Sequence, residues 1–555
     1  MHIQLIAFNC RYSHSCLALF YVRNELEKNV PSCSVAIQQY TINDPYYETL
    51  LRITALPAEA LFFSVYIWNA TYLGRLLTDL NRLAPHHPIV LGGPQAPALR
   101  DTLSFRPTVV HHQVEGLGPA FYRDLADDAL QSDYWAAPVA AFGYPYRPED
   151  FRDQLDKRNI YYESSRGCPF FCAYCLSSIS RGVVHKGLDA VKEELRAILE
   201  HSPKIIRFVD RTFNADPGRA LAIWRFLAEH APDNSAFHFE IAPDLFNEEM
   251  FRFLAGIRAG FFQFEIGIQS TSPQTLQAVN RKMDLAKSLA TIERLQALGT
   301  IHLHIDLILG LPTESKKVFA QSLKDVMALQ PHYVQMGLLK VLPNTEIFKQ
   351  QEELGIVACQ EPPYQVMATK WLDHQTLASL YWLGECVEAF YNKGYFKTFF
   401  SYLLDSGEDI FLFFEQLASH CLDHDFFALA KTQESMNGIL VSRIKGHKEG
   451  GLLREILIFD WLRCGHRFLP EVLQEDLTRH RNLLWQQAAA EIPDFYTPKE
   501  RNFFFKRGVF CQFSAALLAH CRLSGNGIEG FVGFFTEESN KAKRKTRALV
   551  IPTRL

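Results

Sequence analysis

The chain has no broad surplus of positive charge. Its formal net charge is −4 with a pI near 6.6, which argues against an extended nucleic-acid surface, because such a surface needs a field of Lys and Arg. One basic run, Lys541, Lys543, Arg544, Lys545 and Arg547, reads as a solvated tail. No stretch approaches the ~18 uninterrupted apolar residues of a spanning helix. The opening Met-His-Ile-Gln-Leu-Ile-Ala-Phe lacks the basic region and long apolar core of a secretory signal and reads as a strand, so the expected compartment is the cytoplasm. There the 12 cysteines are reduced, and a tight group of them is a ligand set rather than a disulfide framework. No internal repeat or low-complexity segment stands out.

What is present is a large globular composition, 48% apolar and 21% charged over 555 residues, long enough for about three domains. Residues 1–135 alternate apolar runs (Ile3–Phe8, Leu61–Ile67, Ile89–Leu91) with helical stretches such as Ser15–Leu26 and Leu73–Leu83. That alternation predicts an α/β, Rossmann-like, doubly wound sheet with its ligands beyond the carboxyl ends of the strands. Residues 136–157, rich in Pro and Tyr without a period, read as a linker. Residues 158–350 hold six strand candidates separated by helices, from Ile160–Glu163 to Val334–Leu339. Six such units fit a partial (β/α)6 barrel of TIM type, whose functional residues gather at the strand ends. Residues 351–555 lose the strand signal and read as a mainly helical domain, with Phe399, Phe400, Phe411, Phe413, Phe414 and Phe503–Phe505 as core candidates.

The segment with the sharpest chemistry is Cys168-Pro-Phe-Phe-Cys172-Ala-Tyr-Cys175, a C-x3-C-x2-C run directly after a strand. Thiolates are soft ligands that suit iron–sulfur clusters and zinc. Three of them can hold three corners of a 4Fe–4S cubane and leave one iron open. Zinc is the competing reading, but a closed zinc site wants four ligands, and only His185 stands nearby.

This run, with Tyr174 before its last cysteine, resembles the radical SAM superfamily. The resemblance implies a 4Fe–4S cluster on Cys168, Cys172 and Cys175 that cleaves S-adenosylmethionine (SAM) reductively. It further implies that SAM is held by Tyr174, by Asp210 and Asn214 after the second barrel strand, by Glu240 at the end of the third, by Glu265 and Gln269 on the fourth, and by Gly310 after the fifth. Two positions depart from the common pattern: Ala242 stands where relatives often carry Arg, and Gln269 where they carry Glu.

A doubly wound domain ahead of such a barrel resembles the cobalamin-binding radical SAM class. Its matching positions here are His14, Ser64, Tyr66, Gly92, Gly93, Glu115 and Gly116. The cobalamin-ligating Asp-x-His-x-x-Gly signature survives only as His14, which leaves three readings open: a cobalt ligand, a residue that binds phosphate or substrate, or a helix cap. A domain that has lost the cofactor is the bland alternative. With its helical C-terminal region, the whole chain is most similar to the subgroup carrying a DUF4080-type domain. The resemblance implies cobalamin-dependent methyl transfer to an unactivated carbon of a small-molecule or peptide substrate, with an electron donor such as flavodoxin or ferredoxin. Ring formation or rearrangement is the alternative within the class. An RNA-modifying, methylthiotransferase-like activity is the third, and Cys10, Cys16 and Cys33 are too scattered to form the second cysteine set that it would need.

Overall fold

The computed structural model describes residues 1–179, 182–478, 485, 505–506, 508–523, 530–537 and 545–551. The chain divides into two compact units: Met1–Val318 with Gly337–Leu377, and Phe319–Met336 with Ala378–Leu555. Lys541, Lys543, Arg544, Phe503 and Phe504 lie outside the described residues.

The first unit opens with strands β1 (His2–Asn9), β2 (Ser34–Thr41), β3 (Ala60–Ser64), β4 (Ile89–Gly92), β5 (Thr108–His111) and β6 (Asp133–Trp135). They form a parallel sheet in the order β2-β1-β3-β4-β5-β6. Apolar residues on both sides of each strand explain the layering. Ile6, Phe8, Leu61, Phe63 and Leu91 pack against Leu50, Leu73, Leu77 and Leu99, while Leu5, Ala7, Phe62 and Val90 pack against Leu19, Leu26, Phe121 and Leu125. Helices therefore cover both faces, and the order reverses between β1 and β3, where doubly wound sheets open their ligand crevice. Strand β2 is absent from the sequence-based strand set because Gln38 and Gln39 interrupt its apolar run on a sheet edge.

Part of the stretch expected to be a featureless linker is a six-residue helix, Pro148–Asp153, with Pro at its start and an Asp150 capping box. A helix that short shows no period in sequence. Asp150 is buried and forms a two-pronged ion pair with the equally buried Arg23, at 2.5 and 2.8 Å, so the stretch is fastened to the first helix.

The barrel strands are β7 (Ile160–Tyr162), then a hairpin of β8 (Ser165–Gly167) and β9 (Val183–His185), then β10 (Ile205–Phe208), β11 (Ala236–Glu240), β12 (Phe262–Gln269), β13 (His302–Leu309) and β14 (Tyr333–Leu338). The six-stranded sheet runs β7-β10-β11-β12-β13-β14, with neighbouring strands parallel from β7 to β13. Buried and half-buried residues alternate strictly along β12 and β13. The buried set, Phe239, Phe262 and Phe264, packs on Trp224 of helix Pro217–His230 at ring distances of 5.3–6.0 Å. The apolar alternates thus face the helices, and the polar alternates face the concave side.

In the second unit, helices Lys397–Asp405, Ile410–Asp423, Gln433–Ile444 and Gly450–Arg463 dominate, as the periodicity predicts. Phe399, Phe400 and Phe414 are buried among them, and Phe400 stacks on Phe414. The sequence reading missed an antiparallel sheet of Gly508–Phe513, Gly530–Glu537 and Lys545–Ile551. Among the described residues no helix is long and apolar enough to cross a membrane.

Candidate active site

The three cysteines sit on the loop between β8 and β9. Gly167 opens it in a left-handed conformation (φ +92°), and a Cβ there would lie 2.1 Å from the Gly182 carbonyl oxygen, so only glycine lets the hairpin close. The loop is pinned from outside: Ala173 N–H donates to Val279 O (2.9 Å), Asn280 Nδ2 to Phe171 O (2.8 Å), and Ile347 N–H to Ala173 O (3.0 Å). Within it, Cys175 N–H reaches Cys172 O at 3.1 Å, and Cys168 Sγ lies 3.6 Å from Thr212 Oγ1.

Arg281 is the residue here that the sequence reading missed. It stands alone in a segment with no periodic signal, yet its Nη1 lies 3.5 Å from Cys172 Sγ and 3.4 Å from Tyr174 Oη, while Nη2 donates to Gly267 O. Its Nε is buried without a hydrogen bond. Gln269 ends β12 in the left-handed region (φ +68°), at a register shift, and folds back over Gly267. Its Oε1 is also buried without a hydrogen bond. One orphaned donor and one orphaned acceptor thus flank the cysteine loop, both free to bind an added group.

The other expected SAM contacts divide. Asp210 is fully buried and accepts from Ser164 N–H (3.0 Å), Ser164 Oγ (2.6 Å) and Ser165 Oγ (2.6 Å). Asn214 brackets the backbone of Ala242 with two hydrogen bonds, 2.7 and 2.8 Å. Both side chains spend their capacity on fixing loops. A Cβ on Gly310 (φ +86°) would meet Val366 Cγ1 at 2.8 Å, so that glycine admits a neighbouring side chain. Glu240 stands at the rim 3.9 Å from Arg211; burial, with Glu265 and Asp306 close by, pushes its carboxyl up to about 7. Glu265 points into the concave side, where its Oε2 lies 2.9 Å from His238 Nε2.

At the crevice between β1 and β3, His14 Nδ1 hydrogen-bonds Tyr161 Oη of the first barrel strand. Burial and the nearby Arg207 and Arg11 lower its pKa, which favours the neutral ring. Ser64 Oγ accepts from the Cys16 thiol at 3.4 Å. Tyr66 stacks on Trp68 at 4.4 Å, and Trp68 keeps 43% of its surface exposed. Nothing stands within 4 Å of a Cβ placed on Gly92, whereas on Gly93 (φ +104°) it would meet Val65 O at 2.5 Å. Gly116 has no room either, with Ala137 O 2.0 Å from that point. Glu115 is committed to Arg166 at 2.8 Å, and Arg166 also holds Glu163 at 2.9 Å. Open space at Gly92 and the exposed Trp68, stacked on a half-buried Tyr66, therefore remain, while Glu115 and Gly116 serve internal contacts.

Comparison with known proteins places this geometry. The Radical SAM superfamily profile matches residues 162–326, and that of a protein family of unknown function, DUF4080, matches 352–515. The 2-(S-pantetheinyl)-carbapenam-3-carboxylate methyltransferase of Streptantibioticus cattleyicolor is 24% identical, over 52% of this chain and 48% of its own. The chain spans about half the length of the curated relatives it matches. Among solved structures, the radical SAM methyltransferase TsrM from Kitasatospora setae aligns with a TM-score of 0.52 at 17% identity, over 64% of this chain and 77% of its own. The cobalamin-dependent SAM radical enzyme OxsB, with aqua-cobalamin and SAM bound, aligns with a TM-score of 0.57 at 14% identity, over 95% of this chain and 84% of its own. These structures share the fold. The chain thus carries a radical SAM domain over residues 162–326, of a superfamily whose cofactors are a 4Fe–4S cluster and SAM, and a DUF4080 domain behind it.

Proposed function

We propose that this protein cleaves SAM reductively at a 4Fe–4S cluster held by Cys168, Cys172 and Cys175, and that it methylates an unactivated carbon of a small-molecule or peptide substrate with cobalamin as methyl carrier. The observation that carries the reading is the pair of orphaned atoms beside the cysteine loop. SAM presents a carboxylate and an ammonium on its methionine end; Arg281 Nε offers a charge-assisted donor for the first and Gln269 Oε1 an acceptor for the second. Three soft thiols on one pinned loop suit an iron–sulfur cluster. When bound, the reduced cluster supplies one electron to the sulfonium of SAM, and methylated cobalamin supplies the methyl group.

The chain's own residues orient and shield. Tyr174 and Arg281 close the wall next to Cys172, Asp210 fixes β8 through two serines, and Asn214 holds the Ala242 turn below Glu240. Gly92, Tyr66 and Trp68 offer the open backbone and flat aromatic surface that a macrocycle needs, with His14 beside the barrel through Tyr161. A one-electron donor of flavodoxin or ferredoxin type supplies the reductant, and the cytoplasm is the compartment that suits it. A second reading rests on Glu115 and Gly116, whose internal contacts take them out of a cobalamin cradle. In that reading the radical drives ring formation or rearrangement without methyl transfer.

Anaerobically reconstituted protein given dithionite and SAM should yield 5′-deoxyadenosine, and Cys168→Ala should lower the yield at least 100-fold. Equal yields from the two would overturn the radical reading. Exposure to hydroxocobalamin followed by gel filtration should leave a corrin visible spectrum on the protein; a colourless protein favours the second reading.

A further inference from the structure

The concave face of the barrel sheet is polar where barrel interiors are ordinarily filled by branched apolar side chains. Strand register gives the pattern. One row runs Tyr161, Arg207, His238, Gln263 and His302 across five strands. The next level towards the carboxyl ends pairs Glu240 with Glu265 and Glu265 with His304, and the one after pairs Gly267 with Asp306. The opposite face holds Phe239, Phe262 and Phe264 under Trp224.

Two carboxylate–imidazole contacts occupy this chamber: His238 Nε2 lies 2.9 Å from Glu265 Oε2, and His304 Nε2 lies 3.0 Å from Asp306 Oδ1. His238 is only 6% exposed, and neither its Nε2 nor Asp306 Oδ1 has an aligned hydrogen bond although both are sealed from solvent. A buried acceptor in that condition calls for a donor. Charge points the same way. Glu240, Glu265 and Asp306 stand together, and the fixed cations nearby are Arg207, one row deeper, and Arg211, 56% exposed at the rim. Burial and the neighbouring Glu265 raise the Asp306 carboxyl against the pull of His304 and His238, whereas, despite burial, His238, His304 and Arg207 hold Glu265 below its usual range. Among the described residues, neither carboxylate–imidazole contact on this face recruits a third His, Cys, Asp or Glu side chain into a group that could hold a metal ion.

We propose that Glu265 and Asp306, backed by His238 and His304, receive a protonated amine carried by the substrate. The assignment rests on the barrel being the reaction chamber. It names the substrate class as amine-bearing, with the cation held on β12 and β13, where Gly267, the register partner of Asp306, also receives Arg281 from beside Cys172. Glu240 stays at the rim beside Arg211, and the primary role of His238 and His304 is positioning: each keeps one carboxylate turned inward.

The full-length protein, reconstituted anaerobically, is titrated by calorimetry with 1,4-diaminobutane, with its N,N′-diacetyl derivative and with glutarate. The diamine should bind saturably and the two uncharged or anionic probes should not. Glu265→Gln and Asp306→Asn, both of unchanged shape, should each weaken the diamine at least tenfold, and Asp306→Glu should recover part of the loss. The probe comparison within the wild type needs no variant to fold. Equal binding of the diacetyl compound, unchanged affinity in both variants, or complete displacement of the diamine by S-adenosylhomocysteine would overturn the proposal, the last by assigning the site to SAM. Formation of 5′-deoxyadenosine by the wild type without diamine tests the cofactor reading separately, so either result can fail alone.

Discussion

The two parallel sheets of the first unit are built from the same alternation of strand and helix, yet they use their faces in opposite ways. In the N-terminal sheet β1 is buried from Ile3 to Asn9 and β3 throughout, because helices cover both sides. Such a sheet can present chemistry only at its strand ends, where His14, Tyr66 and Gly92 stand. Along β12 and β13 of the barrel sheet only alternate residues are buried. Its helices cover one face, and the other is free to carry Arg207, Glu265, His304 and Asp306 along the strands themselves. Doubly wound burial confines function to loops; one-sided burial opens a whole face to it.

The largest expected effects test this division directly. Phe62 and Phe63 are neighbours in sequence but belong to opposite cores. Phe62→Ala and Phe63→Ala should each cost about 3–5 kcal/mol by urea denaturation, and Phe264→Ala on β12 should cost as much. A cheap substitution at either Phe62 or Phe63 would mean that one face of the N-terminal sheet is not a packed core.

Much of this was legible in the sequence because burial writes itself as apolar runs. Ile3–Phe8 and Ile89–Leu91 announced strands, and the cysteine spacing announced the loop after the first barrel strand. The strand ends were harder. Asp210, Asn214 and Glu115 are the polar residue types expected at strand ends, but contacts far away in sequence decide their work: Ser164 and Ser165 for the first, Ala242 for the second, Arg166 for the third. Arg281 escaped for the same reason, since its meaning comes from Cys172, 109 residues away. The polar barrel face could have been found by reading the HxH-x-D spacing of His302, His304 and Asp306 as period two, which puts all three on one face.

A smaller effect concerns Glu314, just beyond the end of β13. Its side chain is fully buried, accepts from Ser270 Oγ at 2.7 Å through Oε1, and leaves Oε2 without a hydrogen bond. Burial pushes the carboxyl up to about 8 from the ordinary 4.5. Between those values the unfolded chain has lost the proton that the folded chain keeps, so folding stability falls as pH rises from about 5 to 8. Glu314→Gln removes that penalty while keeping an acceptor for Ser270. Its advantage over the wild type should grow across this window to the order of 3 kcal/mol, read from urea midpoints at several pH values. A constant difference between the two proteins would show that Glu314 is ionised in the folded state, and the carboxyl end of the barrel core would then have to be wetter than the buried face beneath it.

The smallest expected effect is the most informative about the two faces. Gln263 precedes Phe264 on β12 and points the other way, in register with His238 and His302. It is half-buried, on the polar side of a strand whose alternate residues are all buried. Gln263→Ala removes a side chain of considerable length, yet it should change stability by no more than about 0.5 kcal/mol, because it opens no cavity in a close-packed layer. The same truncation one residue later empties space under Trp224. If Gln263→Ala instead cost as much as Phe264→Ala, the concave face would be an ordinary packed core. The barrel sheet would then be buried on both sides like the N-terminal one, with no chamber for a substrate.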